Sequence, residues 1–129
     1  PGVPLFAGGK SFGGRMSSQA QAEVPLAGVR GLIFVGFPLH PAGKPSTERA
    51  THLAEVRCPM LFLQGTRDEL AELGLLEGVV SSLGDLGVLR IFDDADHSFH
   101  VRARSGQTDA GVRETLEDAI AGWVGGLRG

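Results

Sequence analysis

The sequence predicts an α/β fold in which a parallel sheet carries helices on both faces. Two observations support this prediction. Short apolar runs alternate with segments whose apolar residues recur at helical spacing. One apolar run, 31–36, is continuous and bounded by glycines, which is typical of a strand buried on both faces of a parallel sheet. We therefore expect 1–129 to form a single domain of about four strand–helix units.

The N-terminal part of the chain contains two of the predicted strands. The first, at 3–8, is a short apolar run. A helix is predicted to follow it at 12–23, with Met16 and Ala20 on its inner face. The second strand is the run Gly-Leu-Ile-Phe-Val-Gly at 31–36.

The middle of the chain begins with a loop. Residues 37–46 hold three prolines, which are incompatible with the interior of a helix or a central strand. A short helix is predicted at 47–54, with Ser46 or Thr47 as its N-cap. The third strand is predicted at 59–64.

The last part of the chain contains two longer helices and the fourth strand. Apolar residues at helical spacing predict helices at 69–83 and 109–125, and the strand lies between them at 88–92. The apolar stripe of the last helix is expected to face the core: Val112, Leu116, Ile120, Trp123 and Val124.

Composition and charge argue against several classes of protein. The chain is 42% hydrophobic and 21% charged, which is typical of a folded domain. The net charge is −3 and no dense basic cluster exists, so binding to nucleic acid is not expected. No apolar run approaches the ~20 residues that span a bilayer, so we expect no membrane association and a cytoplasmic location. Cys58, the single cysteine, is expected to be a buried core residue.

The stretch Gly9–Gly13 has the form G-x-S-x-G and lies between the first predicted strand and the first predicted helix. In that context the pattern is typical of a nucleophile elbow, a sharp turn that presents a serine hydroxyl above the sheet edge. The flanking glycines avoid collisions with the neighbouring strand and helix. The pattern therefore predicts Ser11 as a nucleophile. The alternative is that Ser11 is an ordinary residue of a glycine-rich turn.

Two more candidate residues follow later strands. Asp68 lies in the turn after 59–64, and His97 lies in the loop after 88–92. The carboxyl ends of parallel strands share one edge of a sheet, where ligands bind. The chain order of serine, aspartate and histidine also matches one of the known catalytic triads. We therefore expect Ser11, Asp68 and His97 to converge at that edge.

Alternatives exist for the acid and for the histidines. Asp68 could instead be the N-cap of the helix at 69–83. Asp96 is the other acid near His97, although adjacent residues rarely reach the same point. The other three histidines are expected to be loop or surface residues: His40, His52 and His100. No H-x-H or H-E-x-x-H spacing occurs, so neither a metal nor a cofactor is expected.

The motifs resemble those of the α/β-hydrolase superfamily, and more narrowly those of the dienelactone-hydrolase-like group. By this resemblance Ser11 is the nucleophile, Asp68 the acid and His97 the base, while the Phe12 backbone N–H is the one oxyanion-hole donor that can be assigned. The family domain has eight strands, so the chain would correspond to the C-terminal half of that fold, with the N-terminal strands absent. The resemblance is carried by four segments: Gly8–Arg15, Gly36–Pro45, Leu63–Asp68 and Ala95–Phe99.

The resemblance implies a serine hydrolase that cleaves an ester, thioester or related acyl bond of a small-molecule substrate through an acyl-enzyme. The alternative is a truncated, non-catalytic interaction module with the same fold. In either case the strand at 3–8 would have a neighbour on one side only, at 31–36. An open apolar edge favours pairing with another chain, so we expect a homodimer or a complementing N-terminal fragment.

Overall fold

The structure is a computed structural model that describes residues 5–10 and 29–128. Its four strands form one parallel sheet in the order β1-β2-β3-β4. The predicted parallel α/β architecture is confirmed, and the strand ends differ from the predicted ones by at most two residues. The strands are β1 (Leu5–Lys10), β2 (Val29–Val35), β3 (Met60–Gly65) and β4 (Gly87–Phe92).

Two α-helices are described, α1 (Leu73–Ser82) and α2 (Asp109–Arg128). They correspond to the helices predicted at 69–83 and 109–125, and the helix predicted at 12–23 lies outside the described residues. In the part of the chain that the structure covers, no helix combines the length and apolar character that a bilayer crossing requires.

The start of α1 differs from the prediction because Glu72 is its N-cap. The Glu72 carboxylate accepts hydrogen bonds from the backbone N–H groups of Gly74 at 3.0 Å and Leu75 at 2.8 Å. These two donors have no acceptor within the helix itself, so the cap fixes where the helix begins. The alternative that Asp68 caps this helix is therefore wrong.

The short helix predicted at 47–54 is a 3₁₀ helix, Glu48–Glu55. Thr47 occupies its N-cap position but makes no side-chain capping hydrogen bond. Ser46 supplies the acceptor instead, since its Oγ receives the Glu48 N–H at 3.2 Å. Two shorter 3₁₀ turns follow α1 and precede α2: Gly84–Leu86 and Ala103–Ser105.

The core lies on both faces of β3, which is buried along its whole length. On one face the rings of Phe34, Phe37 and Phe62 pack with centroids 4.7–5.9 Å apart. Cys58 belongs to this cluster as predicted, and burial raises the pKa of its thiol. On the other face the sheet packs against α2 through four of the five predicted stripe residues: Val112, Leu116, Ile120 and Trp123.

The carboxyl ends of the strands share one edge of the sheet. Lys10 aligns with Val35, Val35 with Leu63, and Leu63 with Arg90. The segments that follow the strands therefore leave from this edge. Among the described strands β1 pairs only with β2, which agrees with the expected neighbour. Pairing of its other side with a second copy or an N-terminal fragment remains a prediction.

Gly65 ends β3 at a point where the loop after β4 passes very close. A Cβ built on Gly65 would lie 2.1 Å from the Ala95 carbonyl oxygen. The Arg67 N–H donates to that same oxygen at 2.9 Å, so the oxygen is held in place. Only glycine permits this approach of two backbone segments.

Gly65→Ala is expected to lower the free energy of unfolding by about 1–3 kcal/mol, because the added methyl group displaces the Ala95 carbonyl. Gly78→Ala in α1 is the matched control. No atom lies within 4 Å of its added Cβ, and alanine favours a helix over glycine by roughly 0.5–1 kcal/mol. Urea unfolding of both variants measures the effects, and equal effects would contradict the close contact.

Candidate active site

Asp68 lies in the turn after β3, and its side chain is only 1% exposed. Its Oδ2 accepts hydrogen bonds from His97 Nδ1 at 2.7 Å and from Gln64 Nε2 at 2.6 Å. Its Oδ1 accepts the Leu70 N–H at 2.8 Å. An ionised carboxylate only accepts hydrogen bonds, and a buried one needs such donors to replace water. The three donors therefore match the ionised form.

His97 lies in the loop after β4, and its side chain is 23% exposed. Because the carboxylate of Asp68 is an acceptor, the hydrogen between them belongs to His97 Nδ1. The neutral ring then carries its acceptor lone pair at Nε2. A histidine in this tautomer can take a proton at Nε2 while the carboxylate stabilises the resulting positive ring.

Gly36, directly after β2, provides the space in which the His97 ring lies. Its φ is 75°, a conformation that favours glycine. A Cβ at this position would lie 3.3 Å from His97 Cε1 and 3.3 Å from the His97 carbonyl oxygen. A larger residue would strain the backbone and crowd the ring at the same time.

Asp96 organises the backbone of the loop that carries His97. Its Oδ1 accepts the N–H groups of Ser98 at 2.9 Å and His100 at 3.0 Å. Its own N–H donates to the His100 carbonyl oxygen at 3.0 Å. The carboxylate at His97 Nδ1 is that of Asp68, so the geometry favours Asp68 over Asp96 as the acid.

Asp94 joins the two loops of the site. Its carboxylate accepts hydrogen bonds from the backbone N–H and the Nε–H of Arg102, each at 2.8 Å, and a further one from Arg102 Nη2. Its carbonyl oxygen accepts Arg67 Nε–H at 2.7 Å, and its N–H donates to Thr66 Oγ1 at 2.8 Å. The hydrogen bond from the Arg102 guanidinium lowers the pKa of Asp94 to about 2. The Asp68 turn and the His97 loop are thereby tied together.

His40 is a loop residue as predicted, but it is buried and holds the segment after Asp68. Its Nδ1–H donates to the Pro41 carbonyl at 2.8 Å, and its Nε2 accepts the Glu72 N–H at 2.7 Å. Its backbone N–H donates to the Leu70 carbonyl at 2.9 Å. These bonds fix the path of the chain between the Asp68 turn and α1, a role that the sequence did not indicate.

The structure also describes the side chains of the two remaining histidines. His100 is exposed, as predicted, and its Nδ1 lies 2.7 Å from Asp109 Oδ2. His52 lies on the 3₁₀ helix that follows the proline-rich loop. The described residues contain no group of three or more His, Cys, Asp or Glu side chains placed to hold a metal ion.

The structure brings together two of the four predicted site residues, Asp68 and His97. Ser11 and Phe12 lie outside the described residues, although β1 ends at Lys10, the residue before Ser11, at the shared edge of the sheet. A cavity of about 320 Å³ opens beside the imidazole. Its lining is mainly polar: Arg67, Glu69, Leu70, Asp96, His97 and Ser98.

Besides the role of His40, sequence reasoning missed three residues that support the site. Gln64 carried a signal, because it is the one polar residue in an otherwise apolar strand. Gly36 was recognised only as the residue that bounds a strand. Asp94 carried no distinguishing signal, since it is one of three aspartates in a short acidic segment.

A parallel sheet with helices on both faces, carrying a hydrogen-bonded Asp–His pair beyond the ends of its strands, defines the class of α/β protein to which this chain belongs. The chain belongs to the α/β-hydrolase family, because the protein-family model described as "Alpha/beta hydrolase domain" matches its residues 1–125.

Several solved structures are similar to this chain in fold. An alpha-beta serine hydrolase homologue from Coxiella burnetii is 21% identical, with a TM-score of 0.66 over 92% of this chain and 49% of that one. An a/b serine hydrolase without lid from Xanthomonas campestris is 24% identical, with a TM-score of 0.62 over 93% of this chain and 48% of that one. An esterase domain from a Rhodothermus marinus protein is 15% identical, with a TM-score of 0.68 over 93% and 59%. The chain spans about half the length of the first two structures.

Asp94→Asn is expected to destabilise the protein at neutral pH and to do so less as the medium becomes acidic. Arg102 lowers the pKa of Asp94 to about 2, so the unfolded chain, with an ordinary carboxyl pKa of about 3.9, binds this proton first. The stabilisation is complete above about pH 4 and is lost as the pH falls to about 2. Asparagine tolerates the positive φ of 66° at this position.

Unfolding free energies of the parent and Asp94→Asn between pH 2 and pH 7 test this expectation. The two curves should converge at the acidic end. A gap that stayed constant over the whole range would show that the Asp94 charge contributes nothing to stability.

Proposed function

We propose that this chain carries the catalytic residues of a serine hydrolase that cleaves an ester, thioester or related acyl bond. One observation carries the proposal: His97 Nδ1 lies 2.7 Å from the buried carboxylate of Asp68, at the sheet edge where the strand leading to Ser11 ends. The hydrogen bond from the base to the acid provides the orientation of the imidazole that the serine hydrolase mechanism requires.

In the proposed reaction Ser11 Oγ attacks the acyl carbonyl carbon while His97 Nε2 removes its proton. Asp68 holds the ring in the correct tautomer and stabilises its positive charge. The Phe12 N–H donates to the developing oxyanion. The proton on His97 then passes to the leaving group, which departs and leaves an acyl-enzyme. Water activated by His97 hydrolyses the acyl-enzyme and regenerates Ser11.

The names of the similar structures support the chemistry of the proposal. The Coxiella burnetii and Xanthomonas campestris proteins are described as serine hydrolases, and the Rhodothermus marinus domain as an esterase. The polar lining of the cavity beside His97 suits a small acyl substrate with polar groups. Membership of the dienelactone-hydrolase-like group, a cytoplasmic location and completion of the β1 edge by another strand remain predictions. The alternative is a non-catalytic interaction module, and the labelling and kinetic experiments distinguish it from a hydrolase.

A fluorophosphonate probe is expected to label the full chain at Ser11, because the probe reacts with activated serines. Ser11→Ala should abolish labelling and leave the melting temperature unchanged. Ser98→Ala is the matched control, since Ser98 is an exposed serine that lines the cavity beside His97. Labelling measured by mass spectrometry decides the point. A label that disappears in Ser98→Ala but persists in Ser11→Ala would overturn the nucleophile assignment.

Asp68→Asn is expected to reduce kcat for p-nitrophenyl acetate by about 10⁴-fold, since the amide favours the wrong tautomer of His97. Asp96→Asn is its control, because an asparagine oxygen at 96 can still accept the N–H groups of Ser98 and His100. Its kcat should fall much less. Steady-state kinetics, with melting temperatures measured alongside, distinguish the two acids. A larger loss in Asp96→Asn would make Asp96 the catalytic acid.

A further inference from the structure

Gln64 is a fully buried amide near the end of β3. The rest of that strand is almost entirely apolar, and it is buried on both faces. Burying an amide without a full set of partners costs free energy, whereas an apolar residue of similar length would pack there without that cost. The presence of a polar side chain at this point therefore needs a physical reason.

The hydrogen bonds of Gln64 supply the reason. Its Nε2 donates to Asp68 Oδ2 at 2.6 Å, and the same oxygen accepts His97 Nδ1–H at 2.7 Å. The other carboxylate oxygen accepts the Leu70 N–H. The amide therefore contacts the single atom through which Asp68 acts on the imidazole.

The orientation of the amide is fixed by electrostatics. Reversing it would place Oε1 against Asp68 Oδ2, so that two acceptors would face each other. In the observed orientation Oε1 is buried and has no hydrogen-bond partner among the described residues. The orientation that directs the N–H group at the carboxylate thus leaves Oε1 without a partner in the described part of the chain.

We propose that Gln64 is a positioning residue that holds the Asp68 carboxylate in the plane from which Oδ2 meets His97 Nδ1. This inference rests on the proposed function, in which Asp68 acts through His97. Without Gln64, the donors to the carboxylate that remain among the described residues are the Leu70 N–H at Oδ1 and His97 itself. The carboxylate could then rotate, and the imidazole would rotate with it.

Two variants of the full chain test the assignment. Gln64→Met keeps the length of the side chain, removes the donor and also removes the unsatisfied oxygen. Its kcat/KM for p-nitrophenyl acetate is expected to fall about ten- to a hundredfold, the worth of one hydrogen bond to a charged group. KM should change little, because Gln64 does not touch the substrate.

Proton NMR gives a readout that does not depend on turnover. The His97 Nδ1–H, bonded to a carboxylate, gives a downfield resonance that is absent from His97→Gln. In Gln64→Met this resonance should move upfield or be lost to exchange with water. A side chain that merely filled space in β3 would leave it unchanged.

Gln64→Glu supplies a pH signature. The introduced carboxyl can donate to Asp68 only while it is protonated, because two close carboxylates share one proton. The activity of Gln64→Glu relative to the parent should therefore fall as the pH rises. The relative activity of Gln64→Met, which has no titratable group there, should stay constant with pH.

The outcomes separate this proposal from the proposed function. An unlabelled Ser11 in the parent would overturn the hydrolase mechanism, while the NMR comparison would still decide the role of Gln64. An unchanged His97 resonance in Gln64→Met overturns the positioning role, whatever happens to activity. Activity and melting temperature that fall together with that resonance unchanged would show a purely structural residue.

Discussion

A buried carboxylate can keep its charge only where hydrogen-bond donors replace the water that it has lost. Asp68 meets this condition with donors from three parts of the chain: the end of β3, the turn that precedes α1, and the loop after β4. Each of these parts must be in place before the charge is satisfied. The geometry around Asp68 therefore depends on the folding of all three segments, and the loss of any one donor leaves the buried carboxylate less well stabilised.

The loops that carry Asp68 and His97 are also joined through their backbones. The Ala95 carbonyl receives the Arg67 N–H and lies against the bare backbone of Gly65, while Asp94 is bonded to both Thr66 and Arg67. Two of these contacts involve backbone atoms alone, and the other two join a backbone atom of Asp94 to the side chain of Thr66 or Arg67. These contacts fix the relative positions of the two loops, and the side chains of Asp68 and His97 meet within that frame.

The sequence predicted the elements that depend on local patterns. Apolar runs located the four strands, and the positions of Asp68 and His97 after two of them follow from parallel topology. Contacts between distant residues escaped prediction. Helix α1 begins after Glu72 rather than at residue 69, because the Glu72 side chain accepts hydrogen bonds from the N–H groups of the first helical turn. The burial of His40 depends on a backbone donor 32 residues away, and the role of Gln64 depends on a turn that no periodicity describes.

Phe99 limits how this site can change over evolutionary time. Its φ is 63°, which favours glycine or asparagine, yet its ring packs edge-on against Phe92 with centroids 5.5 Å apart. Glycine would suit the backbone and leave the ring's space empty, and a β-branched residue would add backbone strain. Few substitutions of Phe99 therefore satisfy both the backbone and the packing. The shape and charge of the cavity beside His97 depend instead on exposed lining residues such as Glu69 and Ser98.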